Sequence, residues 1–302
     1  MRATYRTVGS LVRVAQGLNQ LTVDMNADGD FAVLFGDYQQ SVVGNRLACK
    51  YLIGAVCTTN VSESLQLRRY DQFGVPKGKA SVVTSVSERN VEVGGLTDLT
   101  AGRIITGADV EMRADGSTVT AWSTQGRVGS IARGHLYTRA VGANDLPRLS
   151  REIGTSSNVL RGSVKLDSAA DGSYALVHST IGSTSPNGPS DCTVELDLLT
   201  ADGTPLQPRT RVDATPNPFD CSPVPDVSMS AAGHHMVAFR EAGGVRAQRY
   251  ATGGMALAGL FNVTEPDVSR QGPVIASDAA GNFVIGYTLA DGNFVLRLFE
   301  GP

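Results

Sequence analysis

The chain has 302 residues, is 41% hydrophobic and 18% charged, and sets 26 Lys and Arg against 29 Asp and Glu for a formal net charge of −3. A balance this close to neutral, without a run of like charge, leaves no electrostatic footprint for a nucleic acid or an anionic membrane. No apolar run approaches the roughly 18–20 residues that cross a bilayer, so no membrane span is expected.

In chain order, MRATYRTVGSLVRV at the N-terminus lacks the continuous apolar core of a signal peptide. The protein is therefore expected either to stay in the cytosol or to have lost a leader. The cysteines favour the second course. Cys49 and Cys57 flank one short segment and Cys192 and Cys221 lie 29 residues apart, with no CxxC or Cys/His cluster to suggest zinc. Two disulfides and a secreted or cell-surface location are expected, the alternative being four unrelated buried thiols.

Five segments repeat one pattern: VDMNADGDFAVLF (23–35), VEMRADGSTVTAW (110–122), LDSAADGSYALVH (166–178), VSMSAAGHHMVAF (227–239) and IASDAAGNFVIGY (275–287). Each has an alternating strand, an A-D-G or A-A-G turn and a second alternating strand. Asp-Gly between alternating apolar runs predicts a tight hairpin with a type I′ turn. Six residues past each glycine stands an aromatic residue or His: Phe35, Trp122, His178, Phe239 and Tyr287. Both faces of the second strand are apolar, so it is expected between two packed layers.

A further strand and turn follow each hairpin, as in LQLRRYDQFGVP (65–76) and VRAQRYATGGMA (245–256), and in four units another β-rich stretch such as KASVVTSV (79–86) comes next. The last unit stops short, and ATYRTVGSLVRV (3–14) carries the spacing of its missing strand. A ring of small sheets that closes this way covers its edges. The expected fold is all-β: a single-domain, five-bladed β-propeller over 1–302, with blades at 20–100, 105–160, 161–222, 223–270, and 271–302 completed by 1–19.

The runs VDMNADGDFAVLF and IASDAAGNFVIGY, with the RRYDQFG and QRYATGG strands, resemble ADGDF-type propeller repeats of secreted bacterial proteins. Repeats of that family typically place Trp where only Trp122 stands here. The resemblance implies export and adhesion, and it implies no reaction.

Asp24, Asn26 and Asp28 before Gly29 look like the start of a calcium loop, but the twelfth position, which needs a bidentate acid, is Phe35. The other units keep the small residue and glycine and lose the oxygen ligands. No cofactor is therefore expected, with calcium at this trio the sole candidate. Five residues before the glycine stand Asp24, Glu111 and Asp167, then Ser228 and Ala276. In a propeller such positions line the central channel. The arrangement resembles five-bladed glycoside hydrolases, whose first-strand acids serve as base or nucleophile, general acid and modulator, chemistry that needs one carboxyl protonated and another ionised. The plainer reading is acids that hydrate a polar channel or pair with Lys165 and Arg113.

Function often resides on loops held by a rigid scaffold. The long stretches 41–64, 179–192 and 213–226 offer Lys50, Tyr51, Asn187, Asp191, Asn217 and Asp220 as ligand contacts. The leading expectation is an extracellular recognition and adhesion module that grips a carbohydrate or protein through these loops. The alternatives are a glycan-active hydrolase using Asp24, Glu111 and Asp167, and a structural segment of a larger surface protein.

Overall fold

The computed structural model describes residues 18–43, 56–93, 96–128, 131–144, 150–157, 159–183, 190–213, 224–241, 244–264, 268–269 and 271–301. Among these residues every regular element is a β-strand, and no helix is long and apolar enough to cross a membrane. The closing strand expected at 3–14 lies outside them.

The first repeat builds β1 (Leu18–Met25), β2 (Phe31–Val43), β3 (Val56–Tyr70) and β4 (Ser81–Val93). The second builds β5 (Leu96–Met112), β6 (Thr118–Val128), β7 (Ile131–Val141) and β8 (Arg151–Ser157). Then come β9 (Val159–Ser168), β10 (Tyr174–Ser183), β11 (Ser190–Leu199) and β12 (Thr210–Arg211). They are followed by β13 (Pro225–Met229), β14 (His235–Glu241), β15 (Gly244–Tyr250) and β16 (Phe261–Asn262). The last repeat gives β17 (Val274–Ser277), β18 (Phe283–Thr288) and β19 (Phe294–Phe299). Neighbours pair antiparallel in chain order, and β4 pairs with β5 so that the first eight strands form one sheet. The first strands of successive repeats, β1, β5, β9, β13 and β17, pack in turn against one another. That is the arrangement of a β-propeller.

The hairpin turns are wider than the two-residue type I′ form expected. Asn26 C=O accepts from Gly29 N–H at 3.0 Å, and Asn26 N–H donates to Asp30 C=O at 2.9 Å. Gly29 sits at φ +83°, the left-handed residue of a longer hairpin loop. The same pair of backbone bonds recurs at Arg113, Ala169 and Ser230, and in the first turn Asn26 reinforces it. Its Oδ1 accepts from the N–H groups of Asp28 and Asp30 at 3.1 and 3.0 Å, closing the turn from inside. Asp278 takes the corresponding role in the last repeat, accepting from Asn282 N–H at 2.9 Å.

The second strand of each repeat is apolar on both faces because each hydrophobic core lies between two successive sheets. One core joins Trp122 to Leu34, Leu65 and Leu67, and another joins Leu176 and Tyr174 to Val119, Ala121 and Leu136. Ala175 and Val177, on the opposite face of β10, meet Val237 and Phe239. All five residues six past the turn glycine are buried, His178 at 0% exposure with Asp197 Oδ2 at 3.3 Å from its Nε2.

Arginines tie the rims of adjacent sheets. Buried Arg69 on β3 donates to the carbonyls of Gly116, Gly142 and Ala143 at 2.8, 3.1 and 3.0 Å. Arg113 donates to Gly172 C=O at 2.6 Å and Arg249 to Gly281 C=O at 3.1 Å. In three of the repeats, then, the turn glycine's carbonyl is held by a guanidinium from the repeat before it. Hydrogen bonds to a charged donor contribute about 1.5–3 kcal/mol each, and removing the donor strands buried acceptors. Arg69→Met is accordingly expected to lower the unfolding free energy by about 2–3 kcal/mol in urea titration. A loss below about 0.5 kcal/mol, the range of an ordinary surface change, would contradict a role for this rim contact.

Candidate functional site

Alternation along the first strand of each repeat sends residues five and seven before the turn glycine to the same face. These positions, with Thr22, Asp24, Asp109, Glu111, Lys165, Asp167, Asp226 and Ser228 among them, line a cavity of about 380 Å³ in the central channel. The structure thus brings Asp24, Glu111 and Asp167 together from three successive repeats.

The side chains form two interlocked layers, each carboxylate reaching the next repeat. In the layer five residues before the glycine, Asp24 Oδ2 accepts from Met112 N–H at 2.6 Å. Asp167 Oδ2 accepts from Met229 N–H at 2.7 Å and from the Ser228 hydroxyl at 2.8 Å, while its Oδ1 accepts from Ser168 N–H at 2.7 Å. Glu111 Oε1 accepts from the Ser168 hydroxyl at 2.8 Å, and its carboxyl also hydrogen-bonds Asp24. In the second layer Asp109 accepts from the Thr22 hydroxyl at 2.7 Å and Leu166 N–H at 3.1 Å, with Lys165 Nζ at 3.8 Å. Asp226 Oδ2 accepts from Ile275 N–H at 2.9 Å.

Glu111 differs from the aspartates in that layer. Among the described residues no backbone N–H donates to it. Burial, then the charges of Asp167 and Asp24, push its carboxyl up to about 10, against the pull of the Ser168 hydroxyl. Asp167 is pushed by burial to about 6, with Met229 N–H, Ser228 and Ser168 opposing the rise. Asp226 is likewise carried by burial to about 6, countered by the charge of Lys165. Asp109 is raised by burial too, with Lys165 and three hydrogen bonds acting against it. The cluster therefore holds a protonated carboxyl beside carboxylates that ionise near neutral pH.

Reading the repeat at one offset missed Asp109, Lys165 and Asp226. The signal was available, since these residues stand two places earlier on the same strand face. Of the charge partners considered for the acids, Lys165 faces the channel, whereas Arg113 turns to the rim carbonyl of Gly172. The calcium trio comes apart. Asp24 is committed to the channel and Asn26 Oδ1 to its own turn, and no group of three or more His, Cys, Asp or Glu able to hold a metal occurs among the described residues.

Of the ligand-contact residues, Lys50, Tyr51, Asn187, Asn217 and Asp220 lie outside the described residues. Asp191 is on β11 opposite Gly182, not on a loop. The stretches read as long loops are partly strand. Their alternating Ser, Thr and Val carry β2 on to Val43, begin β3 at Val56, carry β10 on to Ser183 and begin β11 at Ser190, while 44–55 and 184–189 lie outside the described residues. Cys192 is disulfide-bonded and Cys57 pairs with Glu92 across β3 and β4, while Cys49 and Cys221 lie outside the described residues.

No protein-family model and no curated protein matches the sequence of this chain. Solved structures do match it in shape. The α-L-arabinanase of Penicillium chrysogenum complexed with arabinobiose superposes with a TM-score of 0.50 at 9% identity, over 94% of this chain and 93% of that one. The GH93 α-L-arabinofuranosidase of Fusarium graminearum complexed with arabinobiose gives 0.47 at 10% identity, with 94% and 93% covered. The likeness is one of fold. The expectation of an adhesion module is corrected by the first of these matches, whose solved structure is an arabinanase.

The raised carboxyls give stability a definite dependence on pH. Each binds its proton more tightly in the folded chain, so its contribution is complete below its ordinary value of 3.8 or 4.5 and is lost as pH rises through its folded value. Thermal stability is expected to fall in two stages as pH rises, through about pH 6 with Asp167 and Asp226 and onward to about pH 10 with Glu111. Glu111→Gln, which cannot ionise, should flatten the second stage. A variant whose melting profile retains the full slope above pH 7 would show that Glu111 is not the group responsible.

Proposed function

We propose that this protein is a glycoside hydrolase, with the channel cavity as its active site and arabinose-containing polysaccharide as the first substrate to test. One observation carries the reading: carboxyls from equivalent positions converge in one cavity with their proton affinities driven apart. Glycosidic cleavage needs that division, one acid to protonate the leaving oxygen and one base to activate water. The shared fold with an arabinanase supports the substrate class by analogy.

Glu111 serves as general acid. Asp24 and Asp167 act as modulators, their charges keeping the proton on Glu111. Asp24 is too close to serve as the base, since it is hydrogen-bonded to Glu111 and leaves no room for a sugar ring between them. Asp226 fits that role better. It sits one layer away, roughly 6.6 Å along the strand direction before the step across the channel from β5 to β13 is added, so a water has room between the two carboxyls. Glu111 gives its proton to the glycosidic oxygen as that bond breaks, and Asp226 takes a proton from the water that attacks the anomeric carbon.

The scaffold follows as part of the same proposal: one domain of five blades, the last completed by residues 1–19. Leu21, Val23 and Met25 on β1 and Phe294, Leu296 and Leu298 on β19 are exposed apolar rows on the first and last sheets. Two such faces are suited to meet in a closed ring, and among the described residues β19 is an edge strand. The disulfide at Cys192 favours a secreted or surface location.

Arabinan and synthetic arabinosides are the assay substrates. Glu111→Gln and Asp226→Asn should each reduce kcat by about 10²–10⁴ with folding preserved. Asp24→Asn removes a charge that holds the proton on Glu111, so the alkaline fall in kcat/KM should move to lower pH. An active wild-type enzyme that is unaffected by Glu111→Gln would refute the assignment.

A further inference from the structure

A second cavity, of about 550 Å³, lies between β4 and the face of β5–β7 and shares no lining residue with the channel. Strand register explains its composition. Arg103 on β5 stands opposite Gly126 on β6, which stands opposite Arg133 on β7, forming one row across three strands. Gly126 adds no side chain, so a notch separates two arginines whose strands are roughly 9–10 Å apart. Both arginines are exposed.

The next row places Thr124 opposite His135, and the row below places Trp122 opposite Tyr137. The rings of Trp122 and Tyr137 stack at 5.4 Å, those of His135 and Tyr137 at 6.0 Å, giving the cavity an aromatic wall. The Arg103 guanidinium donates to the Tyr137 hydroxyl at 2.9 Å, and His135 Nδ1 meets Glu152 Oε1 at 2.7 Å. Thr124 stands out: it lines this cavity at 1% exposure, yet its hydroxyl has no hydrogen-bond partner. An unpartnered buried hydroxyl costs about 1–3 kcal/mol, so one in the wall of a cavity favours a bound group toward which it can turn.

We propose that this cleft is a binding site for an acidic saccharide, one hexuronate unit of a glycan chain. The paired guanidiniums match a carboxylate in charge and donor geometry. The ring wall suits the apolar face of a sugar, and a sugar hydroxyl supplies the partner Thr124 lacks. A neutral sugar would leave the two arginines without an anion. The site goes beyond the proposed hydrolysis and does not depend on it.

Isothermal titration of the full chain with trigalacturonate and with neutral arabinotriose tests the assignment. The acidic trimer should bind in the millimolar range or tighter, at least about tenfold more strongly than the neutral one. Combining Arg103→Ala with Arg133→Ala should weaken that binding by about tenfold or more and leave channel hydrolysis unchanged. Gly126→Trp, which fills the notch without altering charge, should also block it, and Glu111→Gln should leave it intact. No binding by the wild-type chain up to about 10 mM overturns the proposal, as does equal binding of the two trimers or unchanged binding by the double arginine variant.

Discussion

Around the channel cavity the first strand of each later repeat has, among the described residues, one edge not paired with another strand, and N–H groups point from that edge. Buried backbone donors must find partners, and here the partners are carboxylates from the preceding repeat. Asp24 takes Met112 N–H, Asp109 takes Leu166 N–H, Asp167 takes Met229 N–H and Asp226 takes Ile275 N–H. The contacts alternate between two layers and run around the channel in chain order. They satisfy the free edges and join successive sheets at once.

That solution concentrates negative charge in a small buried space. Carboxylates taken from water resist ionisation, and those close to one another resist it further. Backbone donors oppose this at Asp167 and Asp226. Glu111 has one more methylene than its counterparts, reaches Ser168 and Asp24 instead, and keeps its proton. The same packing requirement that closes the sheets therefore separates the acids into different protonation states. A proton donor beside potential acceptors arises from the architecture.

Much of this architecture was legible in the sequence. The turn glycines and the alternating residues around them located the hairpins, and the aromatic position six residues later located the cores between sheets. The channel position five before the glycine placed Asp24, Glu111 and Asp167 in one cavity. What the repeat could not convey was partnership between repeats. Nothing local to Asp24 says that it meets Met112 N–H, 88 residues away. The missing acid at Phe35 already told against a calcium loop, and the structure adds that the Asn26 side-chain oxygen closes its own turn. The rim loops misled because Ser- and Thr-rich segments such as TTNVSES read as loop by composition and pair as strand. Arg103, Gly126 and Arg133 come from three strands and emerge as a row only once register is known.

The claim on which this account most depends is that Glu111 keeps a proton in the folded channel. Carbon-13 labelling of glutamate side chains, with the carboxyl resonance assigned through Glu111→Gln, reads that proton directly across a pH titration. The account predicts that Glu111 remains protonated at pH 8 and titrates toward about 10. A resonance that titrates near 4.5, the ordinary glutamate value, would contradict it.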